Sequence, residues 1–172
     1  MNKQMHNRKQ TRLKGFDYST SRYFFVTLNV KDQKHSFGLI TDKKMKLSVN
    51  GNIALQQWVW LGNQYPYINL ISSVVMPDHI HCIMFINSDY YTKQPKTTIG
   101  ILKIKPLSEL IGAYKTTVSK RIHENGDGDF KWQNSYHDHI IRNDWELIRI
   151  KQYIKDNPAN WLCKEGSRPF PT

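Results

Sequence analysis

His79 and His81 stand one residue apart in HIHCIMFI (79–86), an apolar run that follows a Pro77-Asp78 turn. Alternate side chains of a strand project to opposite faces, so both imidazoles share one face. Strand rise sets them roughly 7 Å apart, near enough to converge on one ion. Neutral imidazole is the commonest nitrogen ligand near neutral pH. The same alternation groups Ile80, Cys82, Met84 and Ile86 on an apolar face and leaves Ile83 and Phe85 beside the histidines. By itself a His-x-His is equally compatible with two half-buried, hydrogen-bonded histidines. Two other architectures carry this spacing. A small β-barrel would need more strands, more glycine and a further Glu and His. A (β/α)₈ barrel needs roughly 250 residues, and this chain has 172.

The elements that must position the histidines are legible around them. RYFFVTLNV (22–30) is aromatic and β-branched and reads as a strand. SFGLITDKKMKLS (36–48) reads as two short strands about an Asp-Lys-Lys turn, and YINLISSVVM (67–76) as the antiparallel partner of 79–86. After Asn50, the spacing of Ile53, Leu55, Trp58, Val59 and Leu61 predicts an amphipathic helix. Pro106 suits the first turn of a second helix, PLSELIGAYKTTVSKRIHE, in which Tyr114 packs with Leu110, Ile111 and Val118. FKWQNSYHDHIIR (130–142) is strand-like with an irregular start. Asn143 with Glu146 forms a capping box for the last helix, which Pro158 ends. An antiparallel sheet of four or five strands with about three helices is an α+β domain.

Composition narrows the partners. A formal charge of +11 and a pI near 9.7 create a field whose commonest partner is a polyanion. Residues 1–15 carry Lys3, Arg8, Lys9, Arg12 and Lys14 without an acidic residue, which predicts a flexible basic arm ahead of a domain at 16–165 and a tail at 166–172. Two cysteines far apart, Cys82 and Cys163, suit a reducing compartment. No signal-like or membrane-spanning run appears, so a cytoplasmic location and no membrane partner are expected.

Several separated segments, taken together, resemble one family. VVMPDHIHCIMFI carries a Pro-acid-His-hydrophobe-His signature. FKWQNSYHDHIIRND followed by IRIKQYIKDNPANW resembles that family's C-terminal block, and FDYSTSRYFFVTLNVKDQKHSFG its first strand. The resemblance, over about residues 12 to 161, is to the single-tyrosine HUH transposases of insertion sequences, especially the REP-associated tyrosine transposases. It implies a ferredoxin-like core and a metal-dependent endonuclease and strand transferase acting on single-stranded or hairpin DNA. It further implies that His79 and His81 hold Mg²⁺ or Mn²⁺, with Asn157 completing the site. Tyr153 would attack the scissile phosphate, leaving a 5′-phosphotyrosine and a free 3′-OH. Asp78 stands where the family often has Asn or Glu.

The residues accord with those roles. On a helical wheel Leu147, Ile150 and Ile154 form a buried stripe, and Tyr153 and Asn157 stack along its edge. A phenol titrates near pH ~10, so a tyrosine nucleophile needs help at neutral pH. Magnesium prefers oxygen ligands, so two imidazoles make Mn²⁺ at least as good a fit. No Gly-rich phosphate loop followed by Lys-Ser/Thr is present, in keeping with chemistry that uses no nucleotide cofactor. Tyr136 is the rival nucleophile. Its neighbours repeat the His-x-His spacing, as a second metal site or, with Asp138 and His139, as groups that orient the first.

Candidate phosphate contacts are the basic arm, Lys93, Lys96, Lys103 and Lys105 in a loop, and Lys115, Lys120 and Arg121 on a helix. Tyr90 and Tyr91 could stack unpaired bases. Two other readings remain open. One is a catalytically silent hairpin DNA- or RNA-binding module, the other a phosphodiesterase that uses water. Monomer and homodimer are both compatible with the sequence.

Overall fold

The computed structural model describes residues 18–91 and 103–161. The strands are β1 (Arg22–Asn29), β2 (Gly38–Thr41), β3 (Lys44–Leu47), β4 (Ile68–Val75), β5 (His79–Ile86) and β6 (His137–Ile141). The helices are α1 (Val49–Gln64), α2 (Leu107–Glu124) and α3 (Asp144–Asp156). β4, β5, β1 and β6 lie side by side in that order, all antiparallel, and β2–β3 is a separate hairpin. Two split β-α-β units, β1-α1-β4 and β5-α2-β6, therefore interleave as a ferredoxin-like sheet. The hairpin is an insertion between β1 and α1. Its turn, Asp42-Lys43, takes positive φ at both residues (51° and 60°), the geometry that matches strand twist in a two-residue loop.

β1 and β5 are central strands, buried on both faces, which is why they are the most apolar runs of the chain. One face, with Phe24, Val26, Leu28, Ile80, Cys82, Met84 and Ile86, packs under α1 and α2 in the main core. The expected apolar face of β5 is thus the core face. Burial pushes the Cys82 thiol well above its ordinary pKa. Tyr114, fully buried there, donates its hydroxyl to the Ala54 carbonyl at 2.8 Å. The other face carries Phe25 and Ile83 beneath Ile150 and Ile154 of α3, in a smaller core.

Two expectations shift, and a third is met. α1 starts two residues earlier than Asn50, because Ser48 is the cap and its hydroxyl accepts the Gly51 N–H. Ala54, Trp58 and Leu61 bury its inner face, while Leu55 and Val59 remain exposed. The strand-like segment 130–142 is regular only from His137, with a single bridge from Trp132 to Val30 before it. Among the described residues no helix is long and apolar enough to cross a membrane. The basic arm, Lys93, Lys96 and Cys163 lie outside the described residues.

Candidate functional site

β1 supplies the floor of the site. Its α3-facing residues run Phe25, Thr27, Asn29, so an apolar surface becomes polar toward the C-terminal end of the strand. In register with them on β5 stand Ile83, His81 and His79. His139 and His137 lie opposite Phe25 and Thr27 on β6, and Val74 of β4 lies opposite His81. Residues directly opposite in antiparallel strands share a face. The result is a band of polar groups, buried at His79, His81, Thr27 and Asn29, continuing the small core under α3.

The two imidazoles converge more closely than strand spacing suggests. Asp78 Oδ1 lies 2.6 Å from His79 Nδ1, and Thr27 Oγ1 lies 2.8 Å from His81 Nδ1. Each ring is held by the nitrogen facing away from its neighbour, and the two Nε2 atoms meet at 3.1 Å. Backbone bonds hold the turn that carries Asp78. Val30 N–H donates to the Asp78 carbonyl and Met76 N–H to the His79 carbonyl, both at 2.8 Å.

That spacing fits a divalent cation. Two donors about 2.1 Å from one ion at right angles lie about 3 Å apart. The carboxylate of Asp78 bonds the far nitrogen of His79, so it supports a donor rather than adding one. Among the described residues no group of three or more His, Cys, Asp and Glu could hold a metal. A cation here would rest on the two imidazoles and on oxygen from an amide, water or substrate.

α3 brings the tyrosine. Asn143 caps it by accepting the Glu146 N–H at 2.9 Å. The reciprocal half of the capping box is displaced by one residue, because the Glu146 carboxylate accepts from Arg142 N–H and meets His139 Nε2 at 2.6 Å. Burial pushes the Glu146 carboxyl up, but the Arg142 and His139 hydrogen bonds and the nearby Arg149 charge outweigh it. The net effect is a pKa below the ordinary value.

With that corner pinned and Ile150 and Ile154 buried, Tyr153 lies on the edge of the stripe. Its ring meets Phe25 edge-on, with centroids 6.2 Å apart, and its Oη stands 3.4 Å from His81 Nε2. Asn157, one turn later at the C-cap of α3, is 4% exposed, an unusual degree of burial for an amide. Trp161 then lies against His79 at 5.7 Å between ring centroids. α3 and the turn after it thus lie across the pair, Tyr153 at His81 and Trp161 at His79, with Asn157 between these contacts in the chain.

The remaining candidates are placed differently. His139 shares the face of the histidine pair and is tied to Glu146, whereas Asp138 pairs in register with the core-facing Val26. Tyr136 packs against the main core across the sheet from Tyr153. α2, with Lys115, Lys120 and Arg121, lies on that opposite layer too. Lys115 Nζ donates to the Gln133 carbonyl at 2.6 Å, and Lys120 and Arg121 pair with Glu124. Lys105 approaches Glu109 and the Tyr65 ring, and Lys103 is exposed. Tyr90 and Tyr91 pack on each other and against the main core.

A groove of about 600 Å³ runs instead between the β4 edge and α3, floored by Ser72, Ser73 and Val74 and walled by Lys151, Ile154 and Lys155. Val74 on its floor is in register with His81, but neither histidine nor Tyr153 lines the groove. Thr27, Trp161 and the α3 lysines escaped sequence reasoning. The signal for Thr27 was the polar alternation Thr27-Asn29 inside an otherwise apolar strand.

No family model matches the chain. An uncharacterized protein of Haemophilus influenzae is 30% identical over 166 residues, covering 91% of each chain. Among solved structures, that of a REP-associated tyrosine transposase bound to a REP hairpin aligns with a TM-score of 0.60 at 18% identity, over 87% of this chain and 73% of that one. At that identity the likeness establishes a shared fold.

Proposed function

We propose that this chain, which belongs to one family with the Haemophilus influenzae protein and is built on the fold of a REP-associated tyrosine transposase, cleaves and rejoins single-stranded DNA through Tyr153. The observation that carries the reading is the approach of Tyr153 Oη to within 3.4 Å of His81 Nε2, where the two imidazole tips converge. A phosphodiester lying against both would meet a nucleophile and an electrophilic centre at once, the arrangement that phosphoryl transfer requires.

Held by His79, His81 and Asn157, a divalent cation (Mg²⁺ or Mn²⁺) would neutralise charge on the scissile phosphate and fix its orientation. Phe25 and the α3 stripe hold the Tyr153 ring, so its hydroxyl is presented without rotamer search. The phenol oxygen forms a bond to phosphorus as the bond to the 3′ oxygen breaks. The phenol gives up one proton and the departing oxygen takes one up. Tyrosyl ester and 3′-OH together conserve the bond, so reversal against another 3′-OH rejoins DNA without a nucleotide.

Strand binding is assigned to the groove between the β4 edge and α3. Lys151 and Lys155, one helical turn apart on its wall, would supply positive charge for backbone phosphates of a bound strand. The basic arm would add contacts. A hairpin substrate is proposed by likeness to the related fold, which was solved on a REP hairpin.

The test is a labelled single-stranded hairpin DNA incubated with the protein and Mn²⁺, then resolved under denaturing conditions. The expected result is a protein–DNA adduct that Tyr153→Phe eliminates while binding persists. Cleavage with no adduct would identify a water-using phosphodiesterase, and binding alone a silent module. An adduct that survives Tyr153→Phe would move the nucleophile to another tyrosine.

A further inference from the structure

α3 buries one side against the sheet and carries a large aromatic on the other. Ile150 and Ile154 lie in its buried stripe. At about 100° per residue, Trp145 stands opposite Ile154, on the line of the helix farthest from the sheet. Trp145 is 84% exposed, the highest value of any large hydrophobic side chain among the described residues, and Ile148 is 60% exposed. Three residues apart, the two are neighbours on the helix surface. A lone exposed apolar side chain is ordinary, but a large rigid indole open to solvent is typical of a binding surface.

The surroundings of the pair are polar and basic. Ile148 lines the groove between the β4 edge and α3, together with Ser72, Ser73, Lys151, Gln152 and Lys155. Lys151 and Gln152 follow Ile148 by three and four residues, so Trp145 continues the α3 wall of the groove toward the start of the helix. Arg149 follows Trp145 by one helical turn. Among the acids of α3, Glu146 bonds His139 and the Arg142 N–H, and Asp156 accepts from Gln152. Asp144 stands exposed beside Trp145. Arg149, Lys151 and Lys155 outweigh it, and the exposed side of α3 is positive.

That chemistry selects the occupant. A second copy meeting this face about a two-fold axis would set Arg149, Lys151 and Lys155 against the same three residues. A polyanion is complementary instead. Single-stranded DNA matches both parts of the surface: an unpaired base has a flat face for the indole, and the backbone carries charge for the lysines. Duplex DNA keeps those faces inside its stack.

We infer that Trp145 is a stacking platform for an unpaired base, with Ile148 as its apolar shoulder, on a strand whose backbone continues into the Lys151–Lys155 groove. Eight residues of α3, about 12 Å of helix rise, separate Trp145 from Tyr153. The stacked base therefore belongs to a nucleotide flanking the one attacked. The assignment rests on the reading of the groove as a strand-binding site and is independent of the cation and of the covalent step.

The test titrates the protein with oligothymidine and with a strand of equal length whose sugars carry no bases, each at several salt concentrations. The unaltered protein should bind oligothymidine more tightly than the abasic strand. Trp145→Ala should weaken oligothymidine binding by about 5- to 100-fold, the effect of losing one stacked base, and leave abasic-strand binding unchanged. Stacking releases no counterions, so the salt dependence of oligothymidine affinity should keep its slope in that variant. Trp145→Phe should recover most of the affinity, and Trp145→Leu, apolar but without a π face, should not. An unchanged denaturant midpoint in Trp145→Ala is expected of so exposed a position.

Oligothymidine binding as tight in Trp145→Ala as in the unaltered protein would overturn the inference. So would an equal loss on the abasic strand, which would make Trp145 a support for the helix rather than a contact to a base. If Trp145→Ala keeps oligothymidine binding but abolishes a dimer in sedimentation, or binding to phosphatidylserine vesicles, the face belongs to a second copy or to a membrane. If the unaltered protein binds neither strand, the groove reading itself fails and takes this inference with it. The hairpin adduct formed through Tyr153 reports separately on cleavage.

Discussion

The two faces of the four-stranded sheet are made by the same strands and do opposite things. On one, Phe24, Val26, Leu28, Ile80, Cys82, Met84 and Ile86 form a continuous apolar floor under α1 and α2. On the other, the intervening residues start apolar at Phe25 and Ile83 and end polar at Thr27, Asn29, His79 and His81, under α3 alone. A strand with period two can serve both ends without compromise, because moving from stability to chemistry takes a single residue step. The polar band is buried nonetheless. Four of its side chains are partnered, Asp78 with His79 and Thr27 with His81, while Asn29 Oδ1 has no hydrogen-bond partner among the described residues.

This division can be tested from either side. The largest effect belongs to the α3 face: Tyr153→Phe should abolish the covalent DNA adduct in a denaturing gel and leave the unfolding midpoint close to that of the unaltered protein. On the opposite face Ile80→Ala, at a position 1% exposed, should cost about 2–5 kcal/mol in denaturant unfolding. An Ile80→Ala protein as stable as the original would break the comparison. So would a Tyr153→Phe protein that fails to fold.

A smaller effect separates the two layers electrostatically. Replacing Lys151 and Lys155 by alanine should reduce the salt dependence of single-stranded DNA binding by about 1.4 in log–log slope, roughly 0.7 for each phosphate left without its lysine. The same change at Lys120 and Arg121, which pair with Glu124 on the far layer, should leave the slope unaltered.

The smallest concerns the β6–α3 corner. Glu146 has a folded-state pKa below the ordinary carboxylate value. Its stabilisation is therefore fully present above the unfolded pKa near ~4.3 and is lost as pH falls through the lower folded value. Glu146→Gln should flatten that acid limb in unfolding measured between about pH 3 and 6, by no more than about 1 kcal/mol for a half-buried pair at the edge of the domain.

Much of this was legible beforehand. The histidine strand, both sheet faces, the hairpin, the helix stripe of Ile150 and Ile154, and the cap at Asn143 all follow from local periodicity and end signals. The misreadings are those where local signals compete. Ser48 and Asn50 are both good caps, and the Ser48 hydroxyl, which accepts the Gly51 N–H and donates to the Ser36 carbonyl ahead of the hairpin, decided between them. Leu55 and Val59 fit the helical stripe of α1, yet the face that α2 covers is the one bearing Ala54 and Trp58. The basic residues of α2 have neighbours that no local signal announces, the Gln133 carbonyl at Lys115 and Glu124 at Lys120 and Arg121.

Which side chains share a face is a property of the sequence, because a strand or helix of known period fixes it for each residue. By that rule alone the chain determined that His79 and His81 point together and that Tyr153 and Asn157 lie on one helix edge. What those edges meet is not local. Thr27 and His81 are 54 residues apart and Tyr153 and His81 are 72 apart, and strand order, register and helix docking alone bring them to hydrogen-bond range. The tilt that narrows two imidazoles from strand spacing to 3.1 Å is part local, through the carboxylate of the adjacent Asp78, and part tertiary, through the Thr27 hydroxyl 54 residues from His81.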